Sequence, residues 1–219
     1  MLNLSSRPFL VEIHSAGRKL PQYVKDKNYI EMPTSGTYSI KLFNRDKTRR
    51  ALCVITVDGL NILDGQPGSY EQQGYVLNAG AHGNITGWRR TSSEVAAFEC
   101  TPPEESYSVR MGKGQENVGV IGVAVFYEEP LRYKTVPRMR KTSGSLQAGG
   151  SVGTGYGKVE EFHTKETTFR RRSSIPDELL VFHYETHDAL LAMGVITKGP
   201  NPFPATTVAV PAPPGWTPQ

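Results

Sequence analysis

The residues with the widest chemical reach in this sequence are His183, Glu185 and His187. At every second position they would project from one face of a strand, and two imidazoles with a carboxylate can hold zinc or iron. No third histidine stands at a partner spacing, and the polar outer face of an edge strand gives the same pattern. The trio is a weak metal candidate, and no cofactor is expected. Asp58-Gly59 and Asp64-Gly65 bracket Leu60-Asn61-Ile62-Leu63, and two carboxylates so placed could work as an acid–base pair. Asp-Gly is also the signal of a tight hairpin, because both residues tolerate positive φ, so turns are expected at both.

Other constellations fail on spacing. A phosphate loop ending at Gly157-Lys158 needs Gly at 152 and Ser or Thr at 159, where this chain has Val152 and Val159. There is no G-x-S-x-G elbow, and neither Cys53 nor Cys100 has a His and Asn near it in sequence. Both cysteines lie in apolar runs and read as buried free thiols. Trp88-Arg89-Arg90 could form a surface stacking site, although a Trp within an apolar strand more readily joins the core. No enzyme is expected.

The elements that would position these residues are short strands. Arg7–His14 alternates with Phe9, Val11 and Ile13 on one face, and Tyr38, Ile40 and Leu42 do the same in the run 38–43. Further runs lie at 29–31, 52–57, 74–77, 84–88, 95–100, 118–126, 159–162, 167–169 and 179–184, separated by Gly, Asn, Asp and Pro. Leu52–Val57 is apolar throughout and should be central, buried on both faces. Val118–Phe126 should be the other central strand, its glycines admitting close neighbours. Only Asp188–Gly194 looks helical, as one helical turn or a bend. The pattern predicts an all-β chain, an antiparallel sandwich of jelly-roll type with extended loops. Residues 1–141 would be the main sandwich and 142–158 a Gly/Ser-rich loop. Residues 159–198 would complete the sandwich or form a small annex, and 199–219 would be a Pro-rich arm. Seven prolines between 200 and 218 exclude helix and sheet interior from that arm.

The chain has 219 residues and a net charge of +4. Its basic residues cluster at Arg45, Arg49 and Arg50, at Arg138 and Arg140, and at Arg170, Arg171 and Arg172. Such clusters could meet an acidic surface, but no aromatic residues interleave with them as on an RNA-binding sheet. Nucleic acid is not expected as a partner. The sequence lacks an apolar run long enough to span a membrane and shows no signal peptide at its start, so a cytoplasmic setting is expected.

A series of segments carries a resemblance. They include Tyr29-Ile30-Glu31, Tyr38-Ser39-Ile40, Val57 through Gly65, Gly74-Tyr75-Val76-Leu77, Ile85 through Arg89, Val95 through Phe98, Ser106-Tyr107 and Asn117 through Phe126. With Gly153 through Gly157 and Leu191 through Val195, they resemble a widespread family of bacterial proteins without an established activity, found also in tailed-phage genomes. The resemblance covers roughly residues 20–197 and leaves out the Pro-rich tail. It implies a single β unit and a virion setting, and supplies no catalytic residue.

These readings lead to a virion structural protein, a capsid decoration or cement protein assembled in a host cytoplasm. Its partners would be copies of itself and a capsid or other assembly protein. Phe203, Val208, Val210 and Trp216 of the arm would make the assembly contacts, alongside the basic loops. The alternative is a ligand-binding sandwich that takes carbohydrate, peptide or nucleic acid through Tyr75, Trp88, Tyr107 and the basic loops. A metal-dependent enzyme built on His183, Glu185 and His187 is the remaining possibility.

Overall fold

The computed structural model describes residues 7–130, 152–161 and 164–199. In chain order the strands are β1 (Phe9–Ser15), β2 (Arg18–Lys19), β3 (Gln22–Val24), β4 (Asn28–Glu31), β5 (Thr37–Asn44), β6 (Ala51–Val57) and β7 (Leu60–Asn61). Then follow β8 (Tyr75–Leu77), β9 (His82–Ile85), β10 (Gly87–Arg89), β11 (Glu94–Thr101), β12 (Val120–Tyr127), β13 (Gly153–Glu161) and β14 (Glu178–Glu185). Two short helices accompany them, α1 (Tyr107–Arg110) and α2 (His187–Ala192). The strands form two packed sheets, an all-β sandwich. One sheet runs β10-β11-β5-β1-β2, with β13 on β11 and β9 on β5. The other runs β3-β4-β14-β12-β6-β7, with β8 on β6.

Alternation builds the interior. Phe9, Val11 and Ile13 of β1 pair with Asn44, Leu42 and Ile40 of β5, and all six are buried. In the facing sheet Val57, Ile121 and Phe182 form one cross-strand row, and Ile55, Val123 and Leu180 form the next. Removing these side chains from water is the main force closing the two layers. β6 is buried on both faces save at Thr56, as its largely apolar run predicts. Cys53, Ile55 and Val57 face the core, while Leu52 and Val54 join Ala124 and Phe126 in a second cluster outside the sheet, covered in part by Phe169. β12 is central, between β14 and β6. A Cβ at its Gly122 would lie 2.7 Å from Thr56 Oγ1, so glycine is required for that approach.

Three expectations need correction. Residues 153–158 are not loop: they form most of β13, which pairs with β11 from Thr101↔Gly153 to Glu94↔Glu161. The glycines serve close packing, since a Cβ at Gly153 would meet Ser106 Cβ at 2.6 Å and one at Gly155 would meet Thr101 Cγ2 at 2.6 Å. A register shift falls at Gly157, where two residues of β13 oppose one of β11. Thr167–Phe169 belongs to no strand. Its backbone is held from the side by Arg50, which donates to Thr168 O at 2.9 Å. Finally, the sheets are not wholly antiparallel: β14 runs parallel to β4, with Tyr184 opposite Ile30. Phe203, Val208, Val210, Trp216, Arg138 and Arg140 lie outside the described residues.

Candidate functional site

Among the described residues, two places gather groups capable of chemistry. The first is inside the sandwich. β6 and β7 are joined by Asp58-Gly59 with φ of 50 and 79, the geometry of a type I′ hairpin turn. The expected turn therefore forms, and it also carries the Asp58 side chain between the sheets, where it is 3% exposed. Gly119 N–H donates to Asp58 Oδ1 at 2.9 Å, and Thr154 N–H donates to Oδ2 at 2.8 Å. Tyr184 O–H donates to Oδ1 at 2.5 Å. Thr154 Oγ1 lies 2.8 Å from the Tyr184 hydroxyl and 2.6 Å from the Tyr38 hydroxyl. Because Tyr184 gives its proton to Asp58, it must accept from Thr154, and Thr154 must accept from Tyr38. The order of donation is thus fixed as Tyr38, Thr154, Tyr184, Asp58, with negative charge at the end of the chain.

Burial pushes the Asp58 carboxyl up to about 6, while the bonds from Tyr184, Thr154 and Gly119 work in the opposite direction. Burial raises both tyrosine hydroxyls well above their ordinary value. Tyr38 and Thr154 belong to one sheet, and Tyr184 and Asp58 to the other. All four side chains are closed to solvent, so the network is a clamp between layers and offers no open acid–base site.

The second place is on the surface. A cleft of about 260 Å³ is lined by Asp64 and Gly65, by Trp88, Arg89 and Arg90, and by Tyr107 and Tyr156. Its aromatic rings form a column reaching out from the core. Tyr38 stacks on Phe98 at 5.1 Å, and Phe98 meets Trp88 in a T-shaped contact at 5.6 Å. Trp88 lies 5.0 Å from Tyr107, which stacks on Tyr156 at 5.2 Å. Trp88 is buried, as an apolar strand predicts, and its indole N–H donates to Gly155 O at 3.2 Å. Tyr107 is half-buried and Tyr156 is 41% exposed. Asp64 and Arg90 are exposed at the rim, and Asp64 Oδ1 accepts from Gln66 N–H at 2.9 Å, closing the expected turn. Arg89 donates to the Tyr75 hydroxyl at 2.8 Å and lies over the Tyr75 ring.

The basic clusters among the described residues are largely held by partners within the molecule. Arg49 pairs with Asp46 and lies 4.0 Å over the Tyr127 ring. Arg50 grips Glu128 with two guanidinium nitrogens. Arg170 pairs with Glu129 at 2.6 Å, and Arg172 pairs with Asp177. Arg171 donates to the carbonyls of Tyr70 and Gln72 and lies 4.3 Å over Phe126. Burial lowers its pKa, against the pull of Glu71. Arg45 is exposed, and its backbone N–H donates to Pro8 O.

The spacing behind the metal trio does not survive folding. β14 ends at Glu185, Thr186 caps α2 by accepting from Ala189 N–H, and His187 starts that helix. The strand alternation stops before the third residue. His183 is half-buried 6.0 Å from the Tyr29 ring, Glu185 is buried, and His187 Nδ1 sits 3.0 Å from Glu31 Oε1. Among the described residues no three His, Cys, Asp or Glu side chains gather as a metal site. Cys53 and Cys100 are free and buried, and burial pushes both thiols up, Cys100 to about 12. No helix among the described residues is long and apolar enough to cross a membrane.

Sequence reasoning missed Thr154, Tyr156, Tyr184 and the buried role of Asp58. One signal was present: a tyrosine at an inward strand position needs a polar partner for its hydroxyl. Compared with protein-family models, with curated proteins and with solved structures, the chain matches none.

Proposed function

We propose that the protein is a structural component that works by assembly and not by catalysis, as a decoration or cement protein on a tailed-phage capsid. The observation that supports this reading is that the described chain closes on itself. Its buried carboxylate clamps the two sheets, and Arg49, Arg50, Arg170, Arg171 and Arg172 bind groups of the same molecule. A sandwich so tied is suited to present neighbouring segments to a lattice. Phe203, Val208, Val210 and Trp216 are the assembly contacts in this reading. Symmetry repeats each weak contact, and the summed affinity far exceeds that of one. The setting comes from the sequence resemblance.

The test is co-sedimentation of the full chain with tailed-phage capsids stripped of their decoration proteins. Saturable binding at a fixed number of copies per capsid is the expected result. A protein that stays wholly in the supernatant at every concentration overturns the proposal.

A further inference from the structure

We propose that the cleft beside Tyr107 and Tyr156 binds one pyranose ring of a glycan chain. This site is independent of the assembly reading and rests on four features. First, the aromatic surface is built in advance. Tyr156 stacks on Tyr107, Tyr107 leans on Trp88, and Trp88 is fixed by its bond to Gly155 O and by its T-shaped contact with Phe98. A ligand meeting this surface orders few side chains, which lowers the cost of binding.

Second, the groups at the rim suit a sugar. The carboxylate of Asp64 can accept from hydroxyls, the guanidinium of Arg90 can donate to them, and the C–H face of a pyranose packs on an aromatic ring. Third, the size fits one ring. The volume is about 260 Å³, below the roughly 300–1,000 Å³ of pockets that enclose a drug-sized ligand. Tyr156, on the outermost strand next to β11, is still 41% exposed, so the rest of a glycan can run past it into solvent. Fourth, the charge does not suit a nucleic acid. A strand of phosphates needs a track of available cations. Among the described residues of this cleft Arg90 is a single exposed cation and makes no track: Arg89 is bonded to Tyr75, Asp64 adds a negative charge, and the arginines at 49–50 and 170–172 have internal partners.

The experiment is calorimetric titration of the full chain with maltohexaose, cellohexaose, chitohexaose and a uronic-acid oligosaccharide, beside a short single-stranded oligothymidylate. At least one sugar binds saturably, and Tyr156→Ala weakens that binding roughly tenfold, the scale of losing one stacked ring. Tyr70→Ala removes another exposed tyrosine, 42% exposed and outside the cleft, and leaves binding unchanged. Thermal unfolding of both variants near the wild-type midpoint shows that the fold is retained. The proposal is overturned if none of the sugars binds, or if Tyr156→Ala binds as the wild type does. Tyr156-dependent binding of oligothymidylate without any sugar assigns the cleft to nucleobases and overturns it equally.

Discussion

The clamp between the sheets and the cleft on the surface are made of the same materials and do opposite work. Each combines an aspartate with tyrosines. A column of rings even joins them, from Tyr38 at the clamp through Phe98, Trp88 and Tyr107 to Tyr156 at the cleft. Asp58 is closed off and takes three hydrogen bonds from its own chain, whereas Asp64 stands at a rim open to solvent. Buried polar groups act mainly through the penalty of leaving them unpaired. Exposed ones contribute little to stability and are available to a ligand. Residue type alone does not separate the two roles; access to water does.

The largest effect expected from breaking the clamp comes from Asp58→Asn. Asparagine tolerates the positive φ of this turn, but its amide would point one N–H group at a backbone donor. Loss of about 3–5 kcal/mol is expected, since a buried network loses its only charged acceptor. Urea unfolding would measure it, and a midpoint equal to the wild type would show that Asp58 clamps nothing.

Acidity sharpens the same point. The Asp58 carboxyl rises from its ordinary value of 3.8 to about 6 on folding, so the native state holds the proton more tightly than the unfolded chain. The stability from this group is fully present below about pH 4 and is lost as pH rises through about 6, a change of roughly 2–3 kcal/mol. The wild type should therefore lose more stability than Asp58→Asn between pH 4 and 7. Parallel stability curves for the two proteins would contradict the assignment.

Arg171→Ala tests an intermediate environment. The side chain covers Phe126 and reaches two carbonyls on the outside of the sheet. Its removal should cost about 1–2 kcal/mol through lost packing and hydrogen bonds. Arg170→Ala, whose ion pair with Glu129 is largely exposed, should change stability by less than about 0.5 kcal/mol. Equal effects of the two would remove the distinction made here. At the far end of the column, Tyr156→Ala should cost about 1 kcal/mol, the scale of one stacked ring pair on a partly exposed side chain. Its effect belongs to glycan binding, and a large drop in the unfolding midpoint would make Tyr156 a structural residue like Tyr38.

The layers of this fold were legible wherever one physical rule acted alone. The alternation of Phe9, Val11 and Ile13 set the inward face of β1, and the run at 52–57, apolar except for Thr56, marked burial on both sides. β13 was hidden because its glycines suggest flexibility, when they are there to let Thr101 and Ser106 approach. The parallel pairing of β4 with β14 joins residues more than 150 positions apart, beyond the reach of any local pattern. Asp58 was recognisable as a turn residue from its neighbour Gly59. Its second role needed Thr154 and Tyr184, which no spacing connects to it. The arginine clusters were legible as charge, but their partners Glu128, Glu129 and Asp177 meet them only in the folded sheet.

The central claim is that this closed sandwich serves as a scaffold whose work is assembly. Light scattering on the full chain beside a chain ending at Lys198 tests it most directly. The expected result is a defined oligomer for the full chain and a fall to monomer without the Pro-rich segment. Monomers of both, together with no co-sedimentation with tailed-phage capsids, would contradict the claim.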